Sequence, residues 1–378
     1  MTDHDNSTYI LYGVPHSLYT GIARCYLRTQ NIPYLELPPT HPDFASMVVP
    51  AIQRSIIPVL VTPSKEIIQD SLDIIDHFEQ QGVRYSAYPE PVLLKVLAII
   101  VQYYGCQAMR RHAMHYRWSF PEEQHDFLRA AFSAGSGPDY ADKVMSRMQS
   151  YLPMLGVTAT TIPLIEQSYH DLLEILERHL SNHPYLFGGY PCIADYGLIG
   201  PMFAHLGRDP VPSSIMKRKA PHVFRWVERM TAPGLDVPDF PDYGDQLIDS
   251  DSIPETLVAL LNFIRSEIFP ELTDKLAALQ AHADNQQPAH GAPVADKAHK
   301  RSVGQIDTTF RGASVTVGVE PYLLYLLDRA ADCLDSVDAS TQHQLMGQLR
   351  KFGLEKAIPA GGRFTVGRQN NIEVWLKK

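Results

Sequence analysis

Apolar residues come in short, punctuated runs over the first eighty positions and in long helical stripes afterwards. Residues 9–12, Tyr-Ile-Leu-Tyr, form a brief apolar run broken by Gly13, Val14 and Pro15, the pattern of a buried strand. From Tyr19 to Arg28 the apolar positions Ile22, Ala23, Tyr26 and Leu27 recur at helical spacing, and Asn31-Ile32-Pro33 ends that helix. Tyr34–Leu37 reads as a second strand, parallel to the first, followed by a loop rich in Pro and His at 38–42. Ile56–Val61 is a third strand and Glu66-Ile67-Ile68 a fourth, joined by a turn at Thr62-Pro63-Ser64. Asp70-Ser71 then opens the helical run Leu72–Phe78. A βαβ unit followed by ββα predicts an α/β domain over residues 1–82.

Beyond it the period is that of helices. Residues 90–118, 122–133, 139–152 and 162–181 are predicted helices, the last strongly amphipathic through Leu164, Ile165, Tyr169, Leu172, Leu173, Leu176 and Leu180. Asp195–Leu206 predicts a very apolar central helix and Pro221–Met230 another, making an all-helical domain over 88–245. The remainder, 250–378, predicts an α+β extension. It contains a helix over 254–281, a polar mobile linker at 282–302, a strand at Val315–Val317, an apolar helix at Tyr322–Leu334 and a terminal hairpin from Phe364–Val366 and Ile372–Trp375. An apolar pattern after a polar linker predicts that helix 254–281 packs on the helical domain. The last segment is then expected to cover part of the active-site cleft or a neighbouring subunit.

Composition narrows the partners. A formal net charge of −9 over 378 residues speaks against a nucleic-acid partner, which favours a basic face. No run of eighteen or more apolar residues is seen, so no membrane partner is expected, and Met1-Thr2-Asp3-His4-Asp5 does not read as a signal peptide. Cys25, Cys106, Cys192 and Cys333 are far apart and form no CxxC pair. Neither a metal site nor a disulfide framework is expected, and buried reduced thiols suit a cytoplasmic protein.

Certain motifs point to chemistry. In Ile56-Ile57-Pro58-Val59-Leu60 a proline that cannot donate to a sheet ladder interrupts an apolar strand, a place where the backbone presents itself to something. Asp70-Ser71 then offers a carboxylate, a hydroxyl and a helix N-terminus, a site for a small anionic peptide. Pro191-Cys192-Ile193-Ala194-Asp195 carries an acid at the fourth position of a capping box, a structural role for Asp195. Ala220-Pro221-His222-Val223-Phe224-Arg225-Trp226 follows.

In their order and spacing over residues 9–232 these segments resemble the glutathione transferase superfamily, a serine-type, bacterial-looking member with a C-terminal extension. The resemblance implies a thioredoxin-like N-terminal α/β domain, an all-α C-terminal domain, glutathione as co-substrate, a homodimer and a role in detoxification. It implies that the backbone of Ile57, held by a cis Pro58, pairs with the cysteinyl part of glutathione. Asp70 would take the γ-glutamyl ammonium, and Ser71 with its helix N-terminus the γ-glutamyl carboxylate. Gln53 and Arg54 are candidates for the glycyl carboxylate. A hydroxyl near the start of the first helix lowers the thiol pKa. Ser17 matches the family's serine and also suits a helix cap, with Tyr12 and Thr20 as alternatives and His16 read as a turn residue. Leu18 stands where the family has proline. The crowded stretch 103–118, with Tyr103, Tyr104, Met109, Arg110, Arg111, His112, His115, Tyr116, Arg117 and Trp118, is the expected lining for a hydrophobic, aromatic or acidic electrophile, or else a dimer face or a solvated helix. Conjugation, ether or halide displacement and isomerisation all remain open, and the competing reading is a non-catalytic binding or interaction module of the same fold.

Overall fold

Strand alternation sends Leu11, Leu60 and Ile68 to one face of the first sheet and Tyr12, Val59 and Val61 to the other, and each set is buried in its own apolar cluster. In the computed structural model, described for residues 8–134, 137–233, 237–297, 299–359 and 361–378, this sheet holds β1 (Tyr9–Tyr12), β2 (Tyr34–Leu37), β3 (Val59–Val61) and β4 (Ile67–Gln69) in the order β2-β1-β3-β4. β1 is parallel to β2 and antiparallel to β3, and β4 is antiparallel to β3. Helix α1 (Leu18–Thr29) joins β1 to β2, a π-turn at Phe44–Val48 and α2 (Val49–Ile52) cover the second face, and α3 (Ser71–Glu79) follows β4. This is the thioredoxin-like arrangement. The third strand starts only after Pro58, whose missing N–H cannot join the ladder, and the Ile57–Pro58 peptide is cis.

The helical domain comprises α4 (Val92–Tyr103), α5 (Arg110–Trp118), α6 (Pro121–Ser133), α7 (Pro138–Gln149), α8 (Ile162–Leu180), α9 (Ile193–Pro201), α10 (Pro210–Lys219) and α11 (Pro221–Thr231). Five of these, α6, α7, α8, α10 and α11, carry proline in their first turn, where the absent N–H costs nothing. The expected helix 90–118 is divided by a π-turn at Tyr104–Ala108. A Cβ on Gly105 would fall 2.6 Å from the Gly197 carbonyl carbon, so paired glycines let the backbones of this turn and α9 touch. Val92–Trp118 is long and apolar enough to cross a membrane by length and composition, contrary to the reading of the sequence, yet 83% of its apolar window is buried inside the protein. Its apolarity is that of a core helix.

The extension departs from expectation in four places. The single helix 254–281 is two, α12 (Glu255–Ile268) and α13 (Glu271–Gln286), because Pro270 lacks the N–H a continuous helix needs. The linker is not free chain. Gly291 N–H donates to Trp375 O (2.7 Å), Trp375 N–H to Ala292 O (2.8 Å) and Val294 N–H to Glu373 O (3.1 Å), so backbone bonds hold a segment whose composition suggested mobility. A strand β5 (Gly304–Phe310) pairs with β6 (Ala313–Val319) and was not anticipated. Then come α14 (Tyr322–Asp335), α15 (Ala339–Phe352), which the sequence reading missed because Leu349 is its one buried residue, and the hairpin β7 (Phe364–Gln369) and β8 (Ile372–Lys377). Leu11, Leu97, Leu326 and Trp375 belong to one apolar cluster, so the extension shares the core of the two preceding domains. The reading of Met1–Asp5 falls outside the described residues.

Candidate functional site

The site lies where α1, β3, β4 and α3 begin or end. Ser17 caps α1, its Oγ accepting from Thr20 N–H at 3.3 Å, and it is half-buried. Thr20 is fully buried with no partner for its hydroxyl, and its Cγ2 fills the space a Cβ on Gly13 would need. The Tyr12 ring lies in the cluster with Phe44, Val48 and Val59. Its hydroxyl is buried and unbonded, and burial together with Asp43 pushes its pKa up. His16 packs at a tilt against Phe132 with ring centroids 4.1 Å apart, and burial with Arg117, Arg208 and Arg24 lowers its pKa to about 3. Of the three hydroxyls, then, Ser17 is the one not sealed in the core.

At the cis proline, neither the N–H nor the C=O of Ile57 has a hydrogen-bond partner among the described residues, leaving a short edge of backbone for a ligand to pair with. Asp70 caps α3, accepting from Leu72 N–H at 2.9 Å, and holds φ at 106°, a conformation an L-residue adopts only when its surroundings over-determine it. Ser71 is buried at the first position of the helix.

The extension fills the other half of the site. The Tyr322 hydroxyl donates to Asp70, 2.9 Å from Oδ1 and 2.8 Å from Oδ2. Asn371 Oδ1 accepts from Gln69 N–H (2.8 Å) while its Nδ2 donates to Ile67 O (3.1 Å), pairing the open edge of β4 with one side chain. Arg54 is buried and donates to Glu373 (2.8 Å) and to Gln69 Oε1 (2.8 Å). Arg368 donates to Asp73 (2.7 Å), to Gln69 O (2.7 Å) and to Glu373 (3.0 Å). Gln53, by contrast, is exposed with φ at 57°. Further along α3, Tyr325 bonds Asp73 and Arg329 bonds Asp76. Burial pushes Asp73 up and wins over the opposing pull of Arg368. Burial pushes Glu373 up too, but Arg301, Arg54 and Arg368 outweigh it and hold that carboxyl below its usual range.

Glutathione can be tested against these residues. Ser17 and the Ile57 backbone suit its cysteinyl part. Its γ-glutamyl end does not fit with the extension in place, since Asp70, the carboxylate expected to take its ammonium, is buried and engaged by Tyr322.

The expected second-substrate lining is also spoken for. Arg110 forms a two-pronged pair with Glu320 (3.0 and 2.6 Å), Arg111 pairs with Glu271 (2.7 Å) and Arg117 with Asp209 (2.8 Å). His112 Nε2 meets Ser168 Oγ (2.8 Å), and His115 meets Ser119 (2.9 Å) and Glu166 (3.1 Å). Between Tyr103, Arg110, Glu271 and Glu320 a void of about 20 Å³ remains, room for water and no more. The basic-aromatic stretch is therefore engaged partly by the extension, through Glu271 and Glu320, and partly within the helical domain, through Ser168, Ser119, Glu166 and Asp209.

Tyr322, Arg301, Arg368, Asn371 and Glu373 were not singled out as site residues in the sequence. One signal existed: Asn370-Asn371 between two apolar runs predicts a tight hairpin turn, and both residues have positive φ (50° and 64°). Asp195 is placed as expected, accepting from Cys192 N–H (3.1 Å), Leu186 N–H (3.0 Å) and Trp226 Nε1 (3.0 Å). Burial raises its pKa to about 6.

Residues 11–84 match the family described as glutathione S-transferase, N-terminal domain, and residues 166–233 match glutathione S-transferase, C-terminal domain. No curated protein matches the chain. Among solved structures it is similar to a possible glutathione S-transferase from Rhodopseudomonas palustris (17% identity, 66% of this chain and 100% of that one, TM-score 0.36). It is also similar to glutathione transferase GSTFuA3 from Phanerochaete chrysosporium (14% identity, 60% of this chain and 96% of that one, TM-score 0.43).

Proposed function

From the premise that this chain belongs to the glutathione S-transferase superfamily, we propose that it is a latent glutathione transferase whose own C-terminal extension holds the glutathione site closed. One observation carries this reading: the Tyr322 hydroxyl on the Asp70 carboxylate, where the γ-glutamyl ammonium would sit. The parts that serve the thiol, Ser17 at the N-terminus of α1 and the backbone of Ile57, without a hydrogen-bond partner among the described residues, support retention of a thiol ligand rather than loss of the site.

The chain's own residues divide the work. Ile57 presents a donor and an acceptor to a peptide backbone. Ser17, at the positive end of a helix dipole, stabilises a neighbouring anion and so favours a thiolate over a thiol. Tyr322 keeps water and ligand from Asp70 until the extension shifts. Glutathione, when bound, supplies the sulfur nucleophile for a small electrophile, and a homodimer is the assembly proposed by analogy.

The same Tyr322–Asp70 contact favours the second reading, a non-catalytic module in which the closure is permanent. Calorimetric titration of glutathione into the wild type, Tyr322→Phe and Tyr322→Phe/Ser71→Ala separates the two. Latency predicts that Tyr322→Phe binds at least tenfold more tightly than the wild type and that the added Ser71→Ala reverses the gain. Absence of binding in every variant would establish the non-catalytic module instead.

A further inference from the structure

Three guanidinium groups converge on one carboxylate at the seam between β4 and the terminal hairpin. Arg54 Nη1 stands 2.8 Å from Glu373 Oε2 and its Nη2 3.3 Å from Oε1. Arg368 Nη1 is 3.0 Å and Arg301 Nη2 3.4 Å from that same Oε1. The side chains of Arg54, Arg368 and Glu373 are at most 6% exposed, whereas that of Arg301 is 37% exposed. Arg301 is therefore the open wall of an otherwise closed cage.

The charges around the cage balance only while Glu373 is in it. The cations are Arg54, Arg301 and Arg368, and the carboxylates are Glu373, Asp73 on Arg368 Nε, and Asp70 under the Tyr322 hydroxyl. Asp70 and Asp73 belong to the N-terminal turn of α3, while Glu373 comes from β8, the far end of the chain. Without Glu373 the place keeps three cations against two carboxylates in a poorly solvated seam, a state that is costly until an anion relieves it. Glu373 also reaches this seam from a two-stranded hairpin that is held to β4 by the side chains of Asn371 and Arg368 rather than by a backbone ladder, an attachment that can open without unfolding the sheet.

We propose that Arg54, Arg301 and Arg368 form a carboxylate-binding site whose resting occupant is Glu373, and that a ligand carboxylate enters the cleft by exchanging with it and lifting the β7–β8 tip from β4. The proposal rests on the reading of the cleft as latent and names what releases it: a small carboxylate, free or at the end of a short peptide. Exchange involves ion pairs only and makes or breaks no covalent bond.

The test uses the full chain and sodium acetate, with sodium chloride at matched ionic strength as control. Glu373→Ala should unfold at a lower temperature than the wild type and regain at least half of that loss, saturably, in millimolar acetate but not in chloride. Equal response to the two salts, or none to either, overturns the proposal. Should Glu373→Ala fail to fold, the wild type answers instead. Amide hydrogen exchange across residues 364–377 should speed up at least threefold with acetate over chloride, and Arg301→Gln should weaken that response. Exchange indifferent to acetate overturns the proposal equally. Acetate has neither thiol nor ammonium, so its failure leaves glutathione binding by Tyr322→Phe intact, and failure of glutathione to bind leaves the acetate response standing.

Discussion

Tyr322 and Asp70, 252 residues apart in sequence, meet through a hydroxyl 2.8 and 2.9 Å from the two carboxylate oxygens. The contact is the first rung of a ladder, with Tyr325 on Asp73 and Arg329 on Asp76 beyond it. Helical spacing puts Asp70, Asp73 and Asp76 on one face of the α3 segment and Tyr322, Tyr325 and Arg329 on one face of α14. The extension thus reads the first domain by its acids.

Tyr322→Phe should destabilise the protein by about 1–3 kcal/mol, because it keeps the ring packing and leaves a buried carboxylate short of a donor. Urea denaturation followed by far-UV circular dichroism checks this, and an unchanged midpoint would show that Asp70 does not need the bond.

A larger loss is expected at Arg117. Its guanidinium is 3% exposed, pairs with Asp209 at 2.8 and 3.0 Å and donates to the carbonyls of His16 (2.8 Å) and Ala204, tying α1, α5 and the turn after α9 together. Arg117→Ala should cost about 3–5 kcal/mol by stranding Asp209 without its partner. Arg117→Ala/Asp209→Ala should recover part of it in the same denaturation experiment.

Stability should fall on acidification in two stages. Burial, aided by neighbouring cations, lowers the pKa of His16 and of His112 to about 3, and burial with His183 lowers that of His179 to about 4. Below the ordinary value of 6.5 the unfolded chain takes up these protons while the folded chain does not. Stability therefore drops from pH 6.5 downward, by up to about 1.4 kcal/mol per pH unit for each histidine. The carboxyls of Glu271 and Glu320 are pushed up by burial but pulled further down, to about 2, by Lys275 and Arg111 and by Arg110. Their contribution is whole above 4.5 and is lost as pH falls towards 2, loosening α13 and the β6–α14 connection. Urea midpoints measured from pH 7.5 to 4 should decline monotonically below 6.5, and a flat profile between 6.5 and 5 would contradict the first stage.

Gly197→Ala should destabilise by about 1–3 kcal/mol or more, since the new Cβ would lie 2.5 Å from the Gln102 Cα and backbone must move to admit it. Thermal unfolding checks this, with Gly244→Ala, where a Cβ meets nothing, as the control.

The first domain was legible almost strand by strand because its signals are local. Short runs bounded by turn residues marked β1 and β2 to the residue, whereas the strand expected from Ile56 starts only at Val59, after the proline. The helical domain was legible through Leu164–Leu180, whose stripe is α8, but not through α10, where Pro210 and Pro212 hide a helix start. The extension was legible only as elements. The hairpin and α14 were foreseen. Nothing in the spacing said that Tyr322 would meet Asp70 or Glu373 meet Arg54, since these are pairings of polar groups hundreds of residues apart, and hydrophobic period carries no information about them. The same blindness made 103–118 look like a ligand surface, because the Glu271 and Glu320 partners lie far downstream.

A four-stranded open sheet has two rims, and on the β4 rim Asn371 behaves as a strand one residue long, accepting from one backbone group and donating to another. Its carboxamide closes off hydrogen-bonding capacity that a strand from another molecule would otherwise use. Any association of this sheet by strand addition is thereby directed to the β2 rim. The hairpin thus gives the sheet a single-sided adhesiveness, and displacing it would bare a second rim for pairing.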